Sequence, residues 1–411
     1  MSRVHLPATR PSPAAPTAPG SLRAGLRSPL ALLRWLRVAY WTPGRPGRPT
    51  TQTELRWIAV AWLTAFALKL VGSTWDVSWH FKWLRDDLAP PHLLNSAGTA
   101  LVVALVLFHS HTGYGVDRRA LRLVQWGTGT FLLAVPVDIV NHRINGLDIT
   151  SWSPSHALLY LGTAVMLAGV LRAWWLYAAF FHATAPTELY PLLIVAENVF
   201  FPNQHQEYGV LGVRAYEAGR PTAEPQLLDF AAAQGAGPQE FGLPVPAWVH
   251  PVWLVCAVLL TLVVARTVVG LRWTATTVAA AYLAYRAAAW VGLVAIGFPP
   301  SVLPLVLLVG AVLVDLAVTH RVPGWLAGPV VAGAVYAAAL VQDALGLLPP
   351  WEWASVLPAA FGFGLLWAGV DRIATADAFL RWRQPLEADQ HGPESAGRGA
   401  SSSGRADRTG S

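Results

Sequence analysis

Asp76 and His80, followed by His92, are matched further along the chain by Asp138 and His142, followed by His156. In both copies the Asp precedes the first His by four residues. A second His then opens an apolar run, and Gly-Thr-Ala follows it, as Gly98-Thr99-Ala100 and Gly162-Thr163-Ala164. Asp and His at i and i+4 share one helical face, so each copy presents a carboxylate and an imidazole together, with the next His on the returning segment. Imidazole plus carboxylate suits zinc, copper or iron. The lack of thiolates speaks against iron–sulfur clusters and soft copper(I) cages, since the chain has one cysteine, Cys256, inside an apolar run. The competing reading is that these groups only hydrogen-bond at a membrane interface and hold two hairpins.

The spacing resembles a known metal motif. Asp76-x3-His80-x11-His92 and Asp138-x3-His142-x13-His156 bracket the Asp-x3-His-x12-His motif carried on transmembrane helices by the C subunit of the copper membrane monooxygenases, the particulate methane and ammonia enzymes. The resemblance is local to each copy. It implies a copper or zinc site of one Asp and two His.

Further candidates surround the repeat. Phe201-Pro202-Asn203 opens a polar stretch containing His205 and Glu207, which could complete or gate a metal site, and His250 in Val249-His250-Pro251 stands at the start of an apolar run as His92 and His156 do. Arg286, Asp315 and Asp343 fall within apolar segments. An ionisable residue there needs a partner or a wet cavity, so Arg286 with Asp315 or Asp343 either forms a structural ion pair, the favoured reading, or marks a proton or substrate path. His109 and His111, at i and i+2, do not share a helical face and read as interfacial. Walker, G-x-S-x-G, H-E-x-x-H and C-x-x-C-H motifs do not occur, which speaks against an ATPase, serine hydrolase, zincin or c-type cytochrome of the usual kinds.

The elements that must position these residues are membrane helices. The 411 residues are 54% hydrophobic and 13% charged, against about 25% charged in soluble domains. Ten apolar runs long enough to approach or cross a bilayer are expected, near 57–75, 92–109, 121–141, 154–173, 186–201, 250–266, 273–297, 301–319, 324–347 and 353–371. The fold class is therefore an all-α polytopic bundle with an internal repeat in its first half. The fifth run carries Glu188 and Glu197 and is the weakest. The tryptophans near chain turns, such as Trp75, Trp79, Trp152 and Trp351, read as an aromatic belt.

The parts follow: a basic, disordered arm (1–50) with an amphipathic stretch from Leu30 to Trp41, a duplicated half (51–201), a loop (202–249), a scaffold half (250–375) and a polar tail (384–411). Nine arginines up to Arg56 place the arm in the cytoplasm by the positive-inside rule. Later arginines also fall inside only if the fifth run crosses, which puts both termini in the cytoplasm and the Asp/His sets on the opposite surface of the cell membrane. The net charge of +6 reflects this asymmetry and is no nucleic-acid signal. Partners are the lipid bilayer and, still open, other membrane proteins or a second copy. Arginine in place of lysine, with Lys69 and Lys82 alone, points to a GC-rich bacterial genome. Three functions remain open: a copper or zinc metalloprotein with oxidoreductase chemistry, a zinc-dependent membrane hydrolase, and a transporter without catalytic metal.

Overall fold

A computed structural model describes residues 29–42, 49–83, 88–145, 151–177, 185–220, 225–233 and 237–377, with the single positions 44, 46, 235 and 379. The polar tail and the first part of the basic arm lie outside the described residues. The elements are α1 (Pro29–Tyr40), α2 (Gln52–His80), α3 (Pro90–Thr112), α4 (Arg118–Asn145), α5 (Pro154–Tyr177), α6 (Ala185–Glu217), α7 (Pro225–Ala233), α8 (Pro238–Gly242), α9 (Val249–Val269), α10 (Thr274–Ala295), α11 (Val306–Thr319), α12 (Gly324–Ala344) and α13 (Val356–Thr375). No strand occurs among the described residues. The protein is an all-α polytopic membrane bundle. Eight of these helices, α2 to α5, α9, α10, α12 and α13, are long and apolar enough to cross a membrane.

Two of the ten expected spans differ. The run at 301–319 becomes α11, apolar but only 14 residues. The run at 186–201 is part of α6, whose 33 residues continue through Pro202 to Glu217, so the expected loop begins as helix. Proline within a helix leaves an upstream turn short of a donor. Here the Val199 carbonyl accepts the Trp253 indole N–H at 2.7 Å, which helps hold that turn. α6 falls short of a lipid-facing composition because it is enclosed by protein: it packs on α2 and α5 on one side and on α9 and α10 on the other.

The arm is not wholly irregular. α1 covers the amphipathic stretch and docks on the first hairpin, where Tyr40 Oη donates to Glu54 at 2.8 Å and Tyr114 Oη to the Ala39 carbonyl at 2.7 Å. Thr51 and Glu54 form a reciprocal capping box that starts α2.

The duplication is physical as well as textual. The hairpins α2–α3 and α4–α5 are the most closely packed neighbouring pairs of the first half. At Gly98 an added Cβ would lie 2.8 Å from the Ala65 carbonyl oxygen and 2.8 Å from Lys69 Cγ. At Gly162 it would lie 2.9 Å from the Gly127 carbonyl oxygen and 2.6 Å from Phe131 N. Ala65 and Gly127, like Lys69 and Phe131, stand in the same register as Asp76 and Asp138. The glycine of each Gly-Thr-Ala thus lets its helix approach its partner at the same place. Between the hairpins, α3 meets α4 and α2 meets α5, the pair of contacts that a local two-fold along the bundle exchanges.

The second half is a separate apolar core. Leu259, Leu262, Tyr282, Leu307, Val335, Phe363 and Trp367 are buried together. A π-helical turn at Leu254–Leu259 interrupts α9.

Candidate functional site

α2 ends on His80, and Asp76 lies one turn earlier on the same face. α3 begins with Pro90 and Pro91 in its first turn, where proline's missing N–H is tolerated, and this places His92 at the helix start. Asp76 Oδ1 lies 2.8 Å from His92 Nε2 and 3.5 Å from His80 Nε2. One ligand atom from each of the three lies within 4.8 Å of the others, and all three side chains are half-buried. Donor atoms around a tetrahedral ion at about 2.0–2.1 Å sit about 3.4 Å from one another, so the two Asp76 contacts bracket that separation.

The second copy faces the same space. Asp76, His80, His92, Asp138, His156 and His205 all line one cavity of about 240 Å³. α5 opens with Pro154, and its first turn is held by Ser153 Oγ, which accepts from His156 N at 3.3 Å. His142 lies on α4, with its side chain outside the described residues. His205 reaches the cavity from α6, packed at 4.9 Å on the Phe81 ring.

Deeper in the cavity the copies part. Lys69 is seven residues before Asp76, two turns and about 10 Å further in along one helix face. Its ammonium donates to Asn95 Oδ1 at 2.9 Å and Thr99 Oγ1 at 3.1 Å, and stands 3.8 Å over the Phe131 ring. Lys69 and Phe131 are equivalent positions of the repeat, and they touch as residues on a two-fold axis must. Asn95 and its counterpart Leu159 both line the cavity. Lys69, Asn95 and Glu197 are site residues that ligand spacing does not single out. The signal for Lys69 was its i, i+7 relation to Asp76, which is visible only once α2 is known to face a cavity.

Other candidates lie elsewhere. Residues i and i+2 on a helix point to different sides, and α6 divides accordingly: His205 joins the cavity, while Glu207 turns to the second half. There Glu207 Oε2 accepts from Arg286 Nη1 at 2.8 Å, and Oε1 lies 3.6 Å from His250 Nε2. His250 Nδ1 accepts the Trp351 indole N–H at 3.1 Å. An indole nitrogen can only donate, so the imidazole proton sits on Nε2, toward Glu207. Arg286 also contacts Tyr282 and Ser301. All three ionisable groups are fully enclosed, and Glu207 and His250 do not line the cavity.

The expected partners of Arg286 are replaced. Asp315 pairs with Arg266 Nε at 3.1 Å and accepts Thr276 N at 2.8 Å and Thr276 Oγ1 at 2.7 Å, capping the start of α10. Asp343 is exposed at the end of α12. Glu207 takes the place of both because α6, and not α11 or α12, presents a carboxylate at that depth of α10. At the opposite end of the first half, Asp117 pairs with the buried Arg172 and caps α4 through Ala120 N at 2.8 Å. His109 is buried between the Trp62 indole at 3.0 Å and the Tyr114 carbonyl at 2.8 Å. It is a structural pin inside the bundle. His111 packs against Trp41 with ring centroids 4.4 Å apart and the planes tilted by 56°.

No family model, curated protein or solved structure matches this chain. Function is therefore argued from the cavity and its residues.

Proposed function

We propose that the protein is an integral membrane metalloprotein whose ion is held at the mouth of the cavity between the two hairpins by Asp76, His80 and His92. Asp138, His156 and His205 on the facing walls complete or tune the site. One observation carries this reading: donor atoms of Asp76, His80 and His92 already lie within 4.8 Å of one another at the rim of a cavity into which the second copy also points. The donor set of imidazole and carboxylate favours copper(II) or zinc, and the local resemblance to the copper membrane monooxygenases points the same way. Bound copper would bring redox chemistry toward oxygen or a small substrate, and bound zinc would activate water for hydrolysis. Asp76 can do two jobs, as ligand or as the carboxylate that orients an imidazole. With the arginine-rich ends in the cytoplasm, the mouth faces the extracytoplasmic side.

The test is metal content per protein in detergent-purified samples. Wild type should hold copper or zinc in stoichiometric amount. His80→Ala should lose most of it, while His320→Ala, an exposed position outside the cavity, should keep it. An electron paramagnetic resonance signal would assign copper and the oxidoreductase reading; a stoichiometric silent metal would assign zinc and the hydrolase. Metal absent from wild type, or equal loss in both variants, would discard the metalloprotein. Transport would then be favoured, because parallel repeats around a mid-membrane cavity are a recurrent transporter plan.

A further inference from the structure

Lys69 is a cation inside the hydrophobic span of α2, 6% exposed. An ammonium at membrane depth is costly and is ordinarily paired with a carboxylate or turned to a wet cavity. No carboxylate pairs with Lys69 among the described residues: its partners are an amide oxygen, a hydroxyl and a ring face. Those three neighbours hold the ammonium in place at the cavity wall without neutralising it. Its surroundings combine polar Ser73, Asn95 and Thr163 with apolar Phe66, Phe131 and Leu159. No arginine lines the cavity among the described residues, so the fork that favours a doubly charged phosphate is missing. The cavity's carboxylates are Asp76 and Asp138 at the rim and Glu197 on the α6 wall, and Lys69 is bonded to none of them, so its ammonium beside Phe66, Phe131 and Leu159 is left to match a single negative charge on an apolar body.

We propose that the cavity binds a small amphipathic monocarboxylate, with its carboxylate on Lys69 and its apolar chain running up toward the Asp76, His80 and His92 rim. A volume of about 240 Å³ accommodates about eight heavy atoms at roughly 30 Å³ each, the size of hexanoate. The orientation follows from the separation of the two polar zones along α2, about 10 Å. The head group is gripped at the deep end, and the far end of the chain is presented at the mouth. This inference does not depend on metal being bound, since Lys69 and its partners are two turns away from the rim.

The experiment is calorimetric titration of full-length protein in nanodiscs, stripped with a chelator, against hexanoate, hexan-1-ol and hexylamine. Hexanoate should bind wild type about ten- to hundredfold tighter than hexan-1-ol, the range of a charge-assisted hydrogen bond. Lys69→Met should bring hexanoate down to the level of the alcohol while leaving the alcohol unchanged. Equal binding of hexanoate and hexan-1-ol by wild type overturns the proposal, as does tightest binding of hexylamine, which would assign the chamber to the carboxylates. Undiminished hexanoate binding by Lys69→Met does the same. Should Lys69→Met not fold, the wild-type series alone decides. His320→Ala, exposed and outside the cavity, should bind hexanoate as wild type does, and because the protein is stripped of metal, loss of the metal reading and loss of this one give different results.

Discussion

At the rim of the cavity the two hairpins carry the same residue types: Asp76 and Asp138, His92 and His156. Two turns deeper they are opposites, with Lys69 and Asn95 on one side and Phe131 and Leu159 on the other. The local two-fold explains why the divergence falls there. Lys69 and Phe131 meet at 3.8 Å, so a lysine kept in both copies would place two ammonium groups against each other. Two unit charges about 4 Å apart repel by about 4 kcal/mol even at an effective dielectric of 20. Near the axis only one copy can carry the charge, and the other supplies a ring face that stabilises it. At the rim the helices diverge, equivalent residues need not touch, and both copies retain their carboxylate and imidazole. A duplicated frame thus yields a cavity with a symmetric mouth and an asymmetric floor.

Restoring symmetry at the floor should have the largest effect. Phe131→Lys is expected to abolish the monodisperse species in size-exclusion chromatography, whereas Phe131→Leu, which loses only the ring face, should remain folded with a loss of about 0.5–2 kcal/mol. A folded, stable Phe131→Lys protein would break the two-fold account.

Breaking symmetry at the rim comes next. His92 belongs to the compact triad with Asp76, while His156 faces the cavity from the second hairpin. His92→Ala should weaken metal affinity by more than about 100-fold, and His156→Ala by about 10- to 100-fold, the loss expected of an outer partner. Competition titration with a chromophoric chelator measures both. Equal losses would mean that one ion draws equally on the two copies.

The smallest effect probes the shared frame. Gly98→Ala and Gly162→Ala each push a methyl group into backbone of the partner helix and should each cost about 1–3 kcal/mol, read as lowered thermal midpoints. The penalty should be greater at Gly162, where the Phe131 N is nearer and no side chain can yield. A greater loss at Gly98 would show that the hairpins do not share one packing solution.

Much of this was legible along the chain because its causes are local. Hydropathy marked the spans, since a helix facing lipid must be apolar over its whole length. The i, i+4 spacing of Asp76 and His80, with proline at the start of the next helix, was enough to bring one carboxylate and two imidazoles together. Sequence misled where a residue's surroundings were protein and not lipid. The run at 186–201 reads as the weakest of ten spans, ending before Pro202, yet it is part of a longer helix, α6, with Ile194, Glu197, Asn198, Phe201 and His205 on the cavity wall and Gln204 and Glu207 turned to Tyr282 and Arg286. Arg286 pairs with Glu207 and not with Asp315 or Asp343, because spacing along a chain carries no information about which helix stands beside α10.

The sequence by itself determined that this is an all-α membrane protein, that its first half is duplicated, and which side chains are chemically able to bind a metal. These follow from composition and from periods within single helices. Only the tertiary structure decided that both copies open on one cavity, that Lys69 confronts Phe131, and that Glu207 and not Asp315 answers Arg286. Each of those depends on which helix faces are neighbours and at what depth, and packing across the bundle settles that where local spacing does not.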